Sequence, residues 1–222
     1  EFYCYTLGMK NLLEEGAIVS LGDQTNSEKL VLEESPSMRS RKVEGPKKLA
    51  QITLKVVNPQ EIEALLARSE EVYELYRGEK GYAFKAISPE GDIFLVHAED
   101  DPQTLLKLSE VPSFQAQDDF VGLSQFDVEE ILLHVPNKVV AQSYYQRFGA
   151  SLPIGFQEEE GQDLLVENMA TWDLSMIKFS LENFDADSLS SLFEDRDLFV
   201  PKSKKFLIAT DDSQIDLWFE KV

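Results

Sequence analysis

The chain has 222 residues, 43% hydrophobic and 10% aromatic, which suits one large globular domain or two smaller ones. Its formal net charge of −20 argues against partners that carry dense negative charge, namely nucleic acid and anionic membrane surfaces. No apolar run approaches the roughly 20 residues of a membrane-spanning helix, and the single cysteine, Cys4, excludes an intramolecular disulfide.

The first half is predicted to contain one helix end, a basic loop, one complete helix and several strands. Gly8 suits the left-handed residue that ends the first helix, and Asn58-Pro59 is a typical start for the second. The predicted helices cover residues 2–7 and 58–66. The predicted strands cover residues 10–15, 17–21, 29–33, 49–57, 72–77, 82–87 and 93–97. The last two strands form a hairpin around Ser88-Pro89-Glu90-Gly91, which has Pro and Gly where such a turn prefers them.

The second half repeats this order after an acidic, irregular linker at residues 100–122, in which a short helix at 104–108 is predicted. The predicted strands cover residues 126–135, 152–157, 163–167, 172–181, 198–200 and a final hairpin from 204 to 222. The predicted helices cover residues 137–149 and 185–195. Tyr144, Phe148 and Gly149 repeat the spacing of Tyr3, Leu7 and Gly8, which indicates an internal repeat.

We therefore predict two α+β domains, residues 1–99 and 123–222, joined by the linker at 100–122. Each half would contain two strand-helix-strands modules, and only the first module lacks its opening strand. We interpret that gap as a chain trimmed at its N-terminus. The opening residues EFYCYTLGMK have neither a basic leader nor a long apolar run, and this favours a cytoplasmic location.

This order of elements resembles the glyoxalase/bleomycin-resistance/extradiol-dioxygenase superfamily, the vicinal oxygen chelate fold. More closely, three stretches are similar to the CppA family of Gram-positive bacteria. These are LGMKNLLEEGAIVSLGDQ, KLVLEESPSMRSRKVEGPKKLA and QIDLWFEKV. The resemblance implies tandem domains of paired βαβββ modules whose mixed sheets curl into cups. It also implies a proteinase that degrades the third complement component, with a host complement protein as partner, a cell-surface or secreted location, and a role in virulence.

The superfamily resemblance places metal ligands on the inner face of each cup. In the first half, Gln51 and Leu95 stand at two of these positions, so a site there is not expected. In the second half, Glu130 and Asp216 stand at ligand positions, Met176 falls at the third, and His134 faces the same way as Glu130. Glu130, His134 and Asp216 are therefore the candidate ligands of a divalent metal. The alternative is a polar cup without metal.

The sequence offers few groups for peptide hydrolysis. It has two histidines, His97 and His134, which are the candidate catalytic residues. The alternative for His97 is a hydrogen-bonded histidine at the edge of its strand. Cys4 could act as a nucleophile only beside a histidine, and its helical position suits a small core residue better. Neither a His-Glu-x-x-His nor a Gly-x-Ser-x-Gly motif is present.

The loop at residues 35–48 of this acidic chain contains five cations, namely Arg39, Arg41, Lys42, Lys47 and Lys48. Such a patch could hold an anionic ligand or an acidic partner surface, or could balance neighbouring glutamates as a solvated loop. Trp218 shares a strand face with Asp216 and is predicted to line the second cup. The alternative is packing in a core, which would need a partner for its indole N–H.

Three functional hypotheses follow. The first is a CppA-family protein, identified as a proteinase by resemblance, whose residues better support binding a ligand or partner. The second is a metal-dependent lyase or dioxygenase-like enzyme that acts on a small molecule in the C-terminal cup. The third is a metal-free module that sequesters a small molecule, and a homodimer is compatible with each.

Overall fold

The computed structural model describes residues 1–34, 39–69, 71–148, 152–193 and 198–222. The helices are α1 (Phe2–Tyr5), α2 (Pro59–Arg68), α3 (Lys138–Gln146) and α4 (Ala186–Ser190), with 3₁₀ turns at Pro102–Thr104 and Ser191–Phe193. The strands of the first half are β1 (Lys10–Glu15), β2 (Ile18–Gly22), β3 (Glu28–Glu33), β4 (Leu49–Val56), β5 (Glu74–Arg77), β6 (Tyr82–Ile87), β7 (Ile93–His97) and β8 (Leu106–Lys107). The strands of the second half are β9 (Phe126–Val135), β10 (Ile154–Glu158), β11 (Met176–Leu181), β12 (Leu198–Phe199), β13 (Phe206–Thr210) and β14 (Asp216–Lys221).

The chain divides into two compact units. The first unit comprises Glu1–Pro36 and Ala50–Leu132, and the second comprises Ser37–Leu49 and Leu133–Val222. The basic segment before β4 thus belongs with the C-terminal half, from which more than eighty residues of chain separate it. The sequence boundaries at residues 99 and 123 stay a prediction.

The first unit is built on a mixed sheet with the strand order β9-β4-β7-β6-β5-β8. β4 runs parallel to β7, and β7 runs antiparallel to β6. Asn58 caps α2 by accepting a hydrogen bond from the backbone N–H of Gln60, with Pro59 next to it at the start of the helix. α2 crosses between the parallel strands and buries Ile62 and Leu65 completely. β1, β2 and β3 form a separate antiparallel sheet.

The second unit repeats the same plan. Its four-stranded sheet has the order β11-β14-β13-β12, in which β11 runs parallel to β14 and β14 runs antiparallel to β13. This is the order first, last, third and second within a module, as in β4-β7-β6-β5. The predicted α+β fold with repeated βαβββ modules is therefore confirmed.

Aromatic side chains fill the core of the second unit. The rings of Phe148 and Phe179 lie 4.9 Å and 5.0 Å from that of Phe219, measured between centroids, and Phe193 lies 5.2 Å from Phe148. Phe219 is completely buried. These contacts account for the inward face of β11 and β14, where Ile177, Phe179 and Phe219 alternate with exposed or half-buried residues.

Both hairpins that the sequence predicts are present. Gly91 donates its N–H to the carbonyl of Ser88 and has φ +86°, as the Ser88–Gly91 turn requires. The C-terminal turn closes through the N–H of Asp211 on the carbonyl of Ile215.

Two element predictions are wrong, and a third has the wrong starting residue. Residues 163–167 form successive turns, the strand predicted at 172–181 begins only at Met176, and residues 104–108 contain a 3₁₀ turn and a two-residue strand instead of a helix. The first two differ because side-chain carboxylates hold these segments, as the next section shows. The predicted helix ends at Gly149 and at residues 194–195 lie outside the described residues. Along the described ranges, no helix has the length and apolar character needed to span a membrane.

Gly8 and Gly16 both have left-handed backbone conformations, with φ +71° and +59°, but only Gly8 is crowded. A Cβ at Gly8 would lie 2.8 Å from Leu65 Cδ2 and 3.0 Å from Leu123 Cγ, whereas one at Gly16 would meet nothing within 4 Å. We expect Gly8→Ala to lower the free energy of unfolding by about 2–4 kcal/mol, since steric overlap adds to backbone strain. Gly16→Ala should cost only about 1 kcal/mol. Urea unfolding of both variants measures the difference, and equal losses would contradict the packing at Gly8.

Candidate functional site

The sheet of the second unit presents one face to its core and leaves the other accessible. Along β14, Leu217 and Phe219 are fully buried, whereas Trp218 between them is half-buried. Trp218 pairs with Lys178 of β11 and with Ile208 of β13, so these three side chains share the accessible face. We call this surface the aromatic face. It consists of Met176, Lys178, Phe199, Phe206, Ile208 and Trp218.

Two aromatic rings form the centre of the aromatic face. The rings of Phe206 and Trp218 are stacked, with centroids 4.1 Å apart and planes inclined by 10°. Phe199 continues the row with its centroid 6.1 Å from that of Phe206, and its side chain is 57% exposed. Met176 on the edge strand is 42% exposed. Exposed apolar side chains grouped in this way are typical of a binding surface.

A hydrogen-bonded ion pair borders the aromatic rings. The indole N–H of Trp218 donates to Glu220 at 2.9 Å, and the ammonium of Lys178 lies 2.9 Å from the other carboxylate oxygen. The same ammonium lies 5.8 Å from the centroid of the Trp218 ring. Burial acts to raise the pKa of Glu220, but the bonds from Lys178 and Trp218 outweigh it and hold that pKa below its usual range. The polar end of the indole is therefore fixed in place.

Asp216, predicted as a metal ligand, lies on the same strand face and has partners of its own. Its carboxylate accepts hydrogen bonds from the Thr210 hydroxyl at 2.8 Å and from the Asn168 amide at 3.1 Å. Asn168 also donates to the carbonyl of Ser175 at 3.0 Å. Asp216 thus fastens the 168–175 segment to the sheet.

The other two predicted metal ligands are placed differently. His134 Nδ1 lies 2.8 Å from the carbonyl oxygen of Lys47, so Nδ1 carries the proton and only Nε2 remains as an acceptor. Glu130 is an exposed residue of the first unit. Over the described residues, no group of three or more His, Cys, Asp or Glu is arranged to hold a metal ion. The residues present therefore do not fit the divalent metal that the fold family implies.

The basic segment is held by an aspartate. The guanidinium of Arg41 makes two bonds of 2.7 Å to the carboxylate of Asp163, which also accepts the backbone N–H of Glu44 at 2.7 Å. These bonds lower the pKa of Asp163, whose side chain is 3% exposed, to about 2. Arg41 also exchanges backbone hydrogen bonds with residues 170 and 172. The pairing explains why residues 163–167 turn instead of forming a strand.

Two further cations of the basic segment, Arg39 and Lys42, are exposed. Lys42 places its ammonium 5.8 Å from the ring centroid of Trp172, whose indole N–H donates to Ser40. Arg39 is exposed at the start of the same segment. The structure therefore brings Lys42 beside an exposed tryptophan that sequence reasoning did not select.

Lys48, another cation of the basic segment, is buried, and the sequence did not predict this burial. Its side chain ammonium donates to the carbonyl of Val166 at 2.8 Å, and burial lowers its pKa. Its backbone N–H donates to Asp173, which also accepts the N–H groups of Leu49 and Leu174. Burial nevertheless raises the pKa of Asp173. Because this carboxylate binds three amides, it holds Asp173 and Leu174 out of the regular strand, and β11 begins at Met176.

His97 lies inside the first unit, on the sheet face that carries Lys55 at the paired position of β4. Its ring is completely buried. Nδ1 accepts the backbone N–H of Glu99 at 3.2 Å, and Nε2 lies 2.7 Å from Glu129 Oε2. This pattern places the proton on Nε2, and burial lowers the pKa of His97 despite the nearby carboxylate. Nε2 nevertheless has no hydrogen-bond partner in the part of the chain that the structure describes, because its approach to Glu129 lacks hydrogen-bond geometry.

Cys4 is exposed on α1, so the prediction of a core position for it is wrong. The carbonyl of Cys4 accepts a hydrogen bond from Arg68, and that guanidinium lies 5.2 Å from the ring of Tyr5 and 4.8 Å from the ring of Phe120.

An open cleft of about 340 Å³ on the same unit is lined by Phe2, Glu71, Val72, Tyr73, Ile87 and Pro89.

Sequence reasoning found Trp218 but missed Phe199 and Phe206. The predicted C-terminal hairpin contained the information needed to find Phe206. Once the turn fixes which residues of its two strands pair, Phe206 and Ile208 must lie on the face of Trp218.

Comparison with known proteins identifies the family of this chain. A family model described as CppA N-terminal matches residues 1–108, and one described as CppA C-terminal matches residues 123–219. The crystal structure of the CppA protein from Streptococcus pneumoniae is 48% identical and superimposes with a TM-score of 0.89, covering 100% of this chain and 91% of that one. The chain belongs to the CppA family. No curated protein matches it.

Two distant structures show the fold alone. A Bacillus subtilis protein that carries the name dioxygenase is 9% identical, with a TM-score of 0.55, covering 99% of this chain and 79% of that one. Glyoxalase I from Zea mays is 11% identical, with a TM-score of 0.52, covering 99% of this chain and 86% of that one. The resemblance to the vicinal oxygen chelate fold is thereby confirmed.

The pairing of Arg41 with Asp163 predicts a stability change in acid. A folded pKa of about 2 lies below the usual value near 3.9, so the carboxylate stabilises the fold fully above about pH 4. That contribution is lost as the pH falls towards 2. The urea midpoint of Asp163→Asn should be clearly lower than that of the wild type at pH 7, and the gap should close between pH 4 and pH 2. Glu160→Gln, at an exposed position of the same unit, should show no gap. A gap that does not change with pH would contradict this role for Asp163.

Proposed function

We propose that this CppA-family protein is a metal-independent binding protein whose aromatic face holds a small, planar, apolar molecule. The observation that carries the proposal is the stacked pair of Phe206 and Trp218 on an accessible sheet face, extended by the exposed rings and chains of Phe199 and Met176. A planar ligand gains most from such a surface, because it removes apolar area from water and adds ring contacts.

The polar groups around the rings support the same function. Glu220 and Lys178 are paired with each other, and Asp216 is bonded to Thr210 and Asn168. A ligand with an apolar body and few charges leaves these pairs intact, whereas a strongly charged ligand would have to break them. The proposal therefore favours neutral, aromatic molecules.

Two features favour binding over metal chemistry or peptide hydrolysis. The candidate metal ligands Glu130, His134 and Asp216 do not form a ligating group with one another, as described above. In the described ranges, neither histidine is hydrogen-bonded to a serine, threonine or cysteine side chain, the pairing that activates a nucleophile. His97 also has no exposed atom through which to reach a substrate.

A fluorescence titration with N-phenylnaphthylamine, a neutral probe with a planar naphthalene ring, tests this proposal. We expect saturable enhancement of the probe's emission, with Phe206→Ala and Trp218→Ala each weakening binding about tenfold, since each removes one ring of the stack. Tyr73→Ala is the matched control, because Tyr73 is an exposed aromatic residue of the other unit (63% exposed). Equal binding by all four proteins would overturn the proposal.

The same preparation separates binding from the two enzymatic hypotheses. Elemental mass spectrometry should find less than one metal ion per chain, and treatment with a chelator should leave the probe's affinity unchanged. Incubation with the third complement component should leave its chains intact. Cleavage that is abolished by His134→Ala would instead establish a proteinase.

A further inference from the structure

Part of the basic segment runs beside a turn of the C-terminal half within the second unit. Arg41 pairs with Thr171 in an isolated parallel β-bridge, and it exchanges backbone hydrogen bonds with the residues on either side of Thr171. These contacts hold residues 39–42 against residues 169–172. We call the surface formed by these eight residues the basic–aromatic surface.

The side chains of the basic–aromatic surface hold a tryptophan in a fixed orientation. The indole N–H of Trp172 donates to the hydroxyl of Ser40 at 3.3 Å, and the ammonium of Lys42 lies 5.8 Å from the centroid of the Trp172 ring. Arg41, between these two residues in the chain, is bonded to the buried Asp163 instead. Trp172 is nevertheless 40% exposed, so a large apolar ring is both positioned and accessible.

The charges of the basic–aromatic surface have one sign. Its eight residues include three cations, Arg39, Arg41 and Lys42, and no carboxylate. Arg41 forms ion pairs with Asp163 and Glu44, whereas Lys42 forms no ion pair within the part of the chain that the structure describes. The surface is therefore locally positive, although the whole chain carries a formal charge of −20.

We propose that the basic–aromatic surface is the docking site for an acidic segment of another polypeptide. Trp172 and Met169, which is 37% exposed, supply the apolar contact, and the exposed Arg39 and Lys42 supply the charges that acidic side chains meet. Tryptophan, methionine and arginine are the residue types enriched in protein–protein interfaces.

The acidic remainder of the chain determines where such a segment binds. Acidic side chains are repelled by the rest of the surface, so the local positive charge sets both the position and the orientation of the partner. At physiological salt, charges more than about 8 Å away are largely screened, so distant carboxylates do not cancel the local attraction. No residue of the basic–aromatic surface belongs to the aromatic face.

The test measures the fluorescence anisotropy of a fluorescein-labelled octapeptide in which three aspartates flank a leucine–phenylalanine pair on each side. Lys42→Glu reverses one charge of the surface, and Lys202→Glu makes the same change in net charge at another exposed lysine of the same unit. We expect Lys42→Glu to weaken binding about tenfold or more and Lys202→Glu to stay within about threefold of the wild type. Equal losses in the two variants would overturn the proposal, as would the absence of binding to the wild type.

The apolar part of the contact is tested with a second peptide of the same charge. With two glycines in place of the leucine–phenylalanine pair, this peptide should bind the wild type about tenfold more weakly. Trp172→Ala should weaken binding of the first peptide by a similar factor and leave binding of the glycine peptide unchanged. Equal affinity of the wild type for both peptides would contradict docking on Trp172.

Nuclear magnetic resonance locates the contact without any variant. We expect the amide signals of residues 39–42 and 169–172 of the wild type to shift when the leucine–phenylalanine peptide is added. Shifts confined to other residues would overturn the proposal even if Trp172→Ala failed to fold.

Three other occupants of the surface give different results, and each of these results would overturn the proposal. Inorganic phosphate that binds as tightly as the peptide would make the surface a small-anion site. An oligouridylate of the same charge that binds as tightly would make it a nucleic-acid site. A concentration-dependent dimer that sedimentation detects, that Lys42→Glu abolishes and that the peptide cannot disrupt would assign it to another copy of this chain.

The two proposals for this protein can fail independently. Phe206→Ala should leave peptide binding unchanged, and Lys42→Glu should leave the binding of N-phenylnaphthylamine unchanged.

Discussion

The parallel pairing of the first and last strands of a module is the constraint on which the structure depends. Parallel neighbours cannot be joined by a tight turn, so the chain must cross over, and the crossover carries a helix. In the first unit this helix is α2, whose Ile62 and Leu65 are completely buried. The second unit has the same parallel pair and places α4 after β11. In the second unit, apolar side chains pack on one sheet face and the other face stays accessible.

Much of this plan could be predicted from the sequence because its signals are local. Asn58-Pro59 marks the start of α2, and Ser88-Pro89-Glu90-Gly91 marks a hairpin whose glycine has a positive φ. The strand predictions within residues 163–175 failed because the conformation of this segment depends on groups that are distant in the sequence. Asp163 is held by Arg41, and Asp173 by the amides of Lys48 and Leu49. No spacing rule reports a contact across more than a hundred residues of chain.

The candidate site could likewise be predicted from the sequence only in part. Trp218 was predicted from the alternation of one strand, and Phe206 follows once the hairpin register is known. The status of the histidines was not predictable. His97 was a candidate catalytic residue, yet its ring is completely buried, with Nδ1 bonded to a backbone amide and Nε2 lying 2.7 Å from Glu129. Lys48, one of five cations in a loop, is buried whereas its neighbour Lys42 is exposed. Burial of one member of a charged run depends on tertiary packing alone.

The exposure of Cys4 has a practical consequence for any work with this protein in solution. It is the only cysteine in the chain, so a thiol-reactive dye would attach at a single defined position in the first unit. The same thiol can oxidise with that of another molecule in air-saturated buffer. The resulting covalent pair would have twice the mass of one chain, and a reducing agent would return it to single chains.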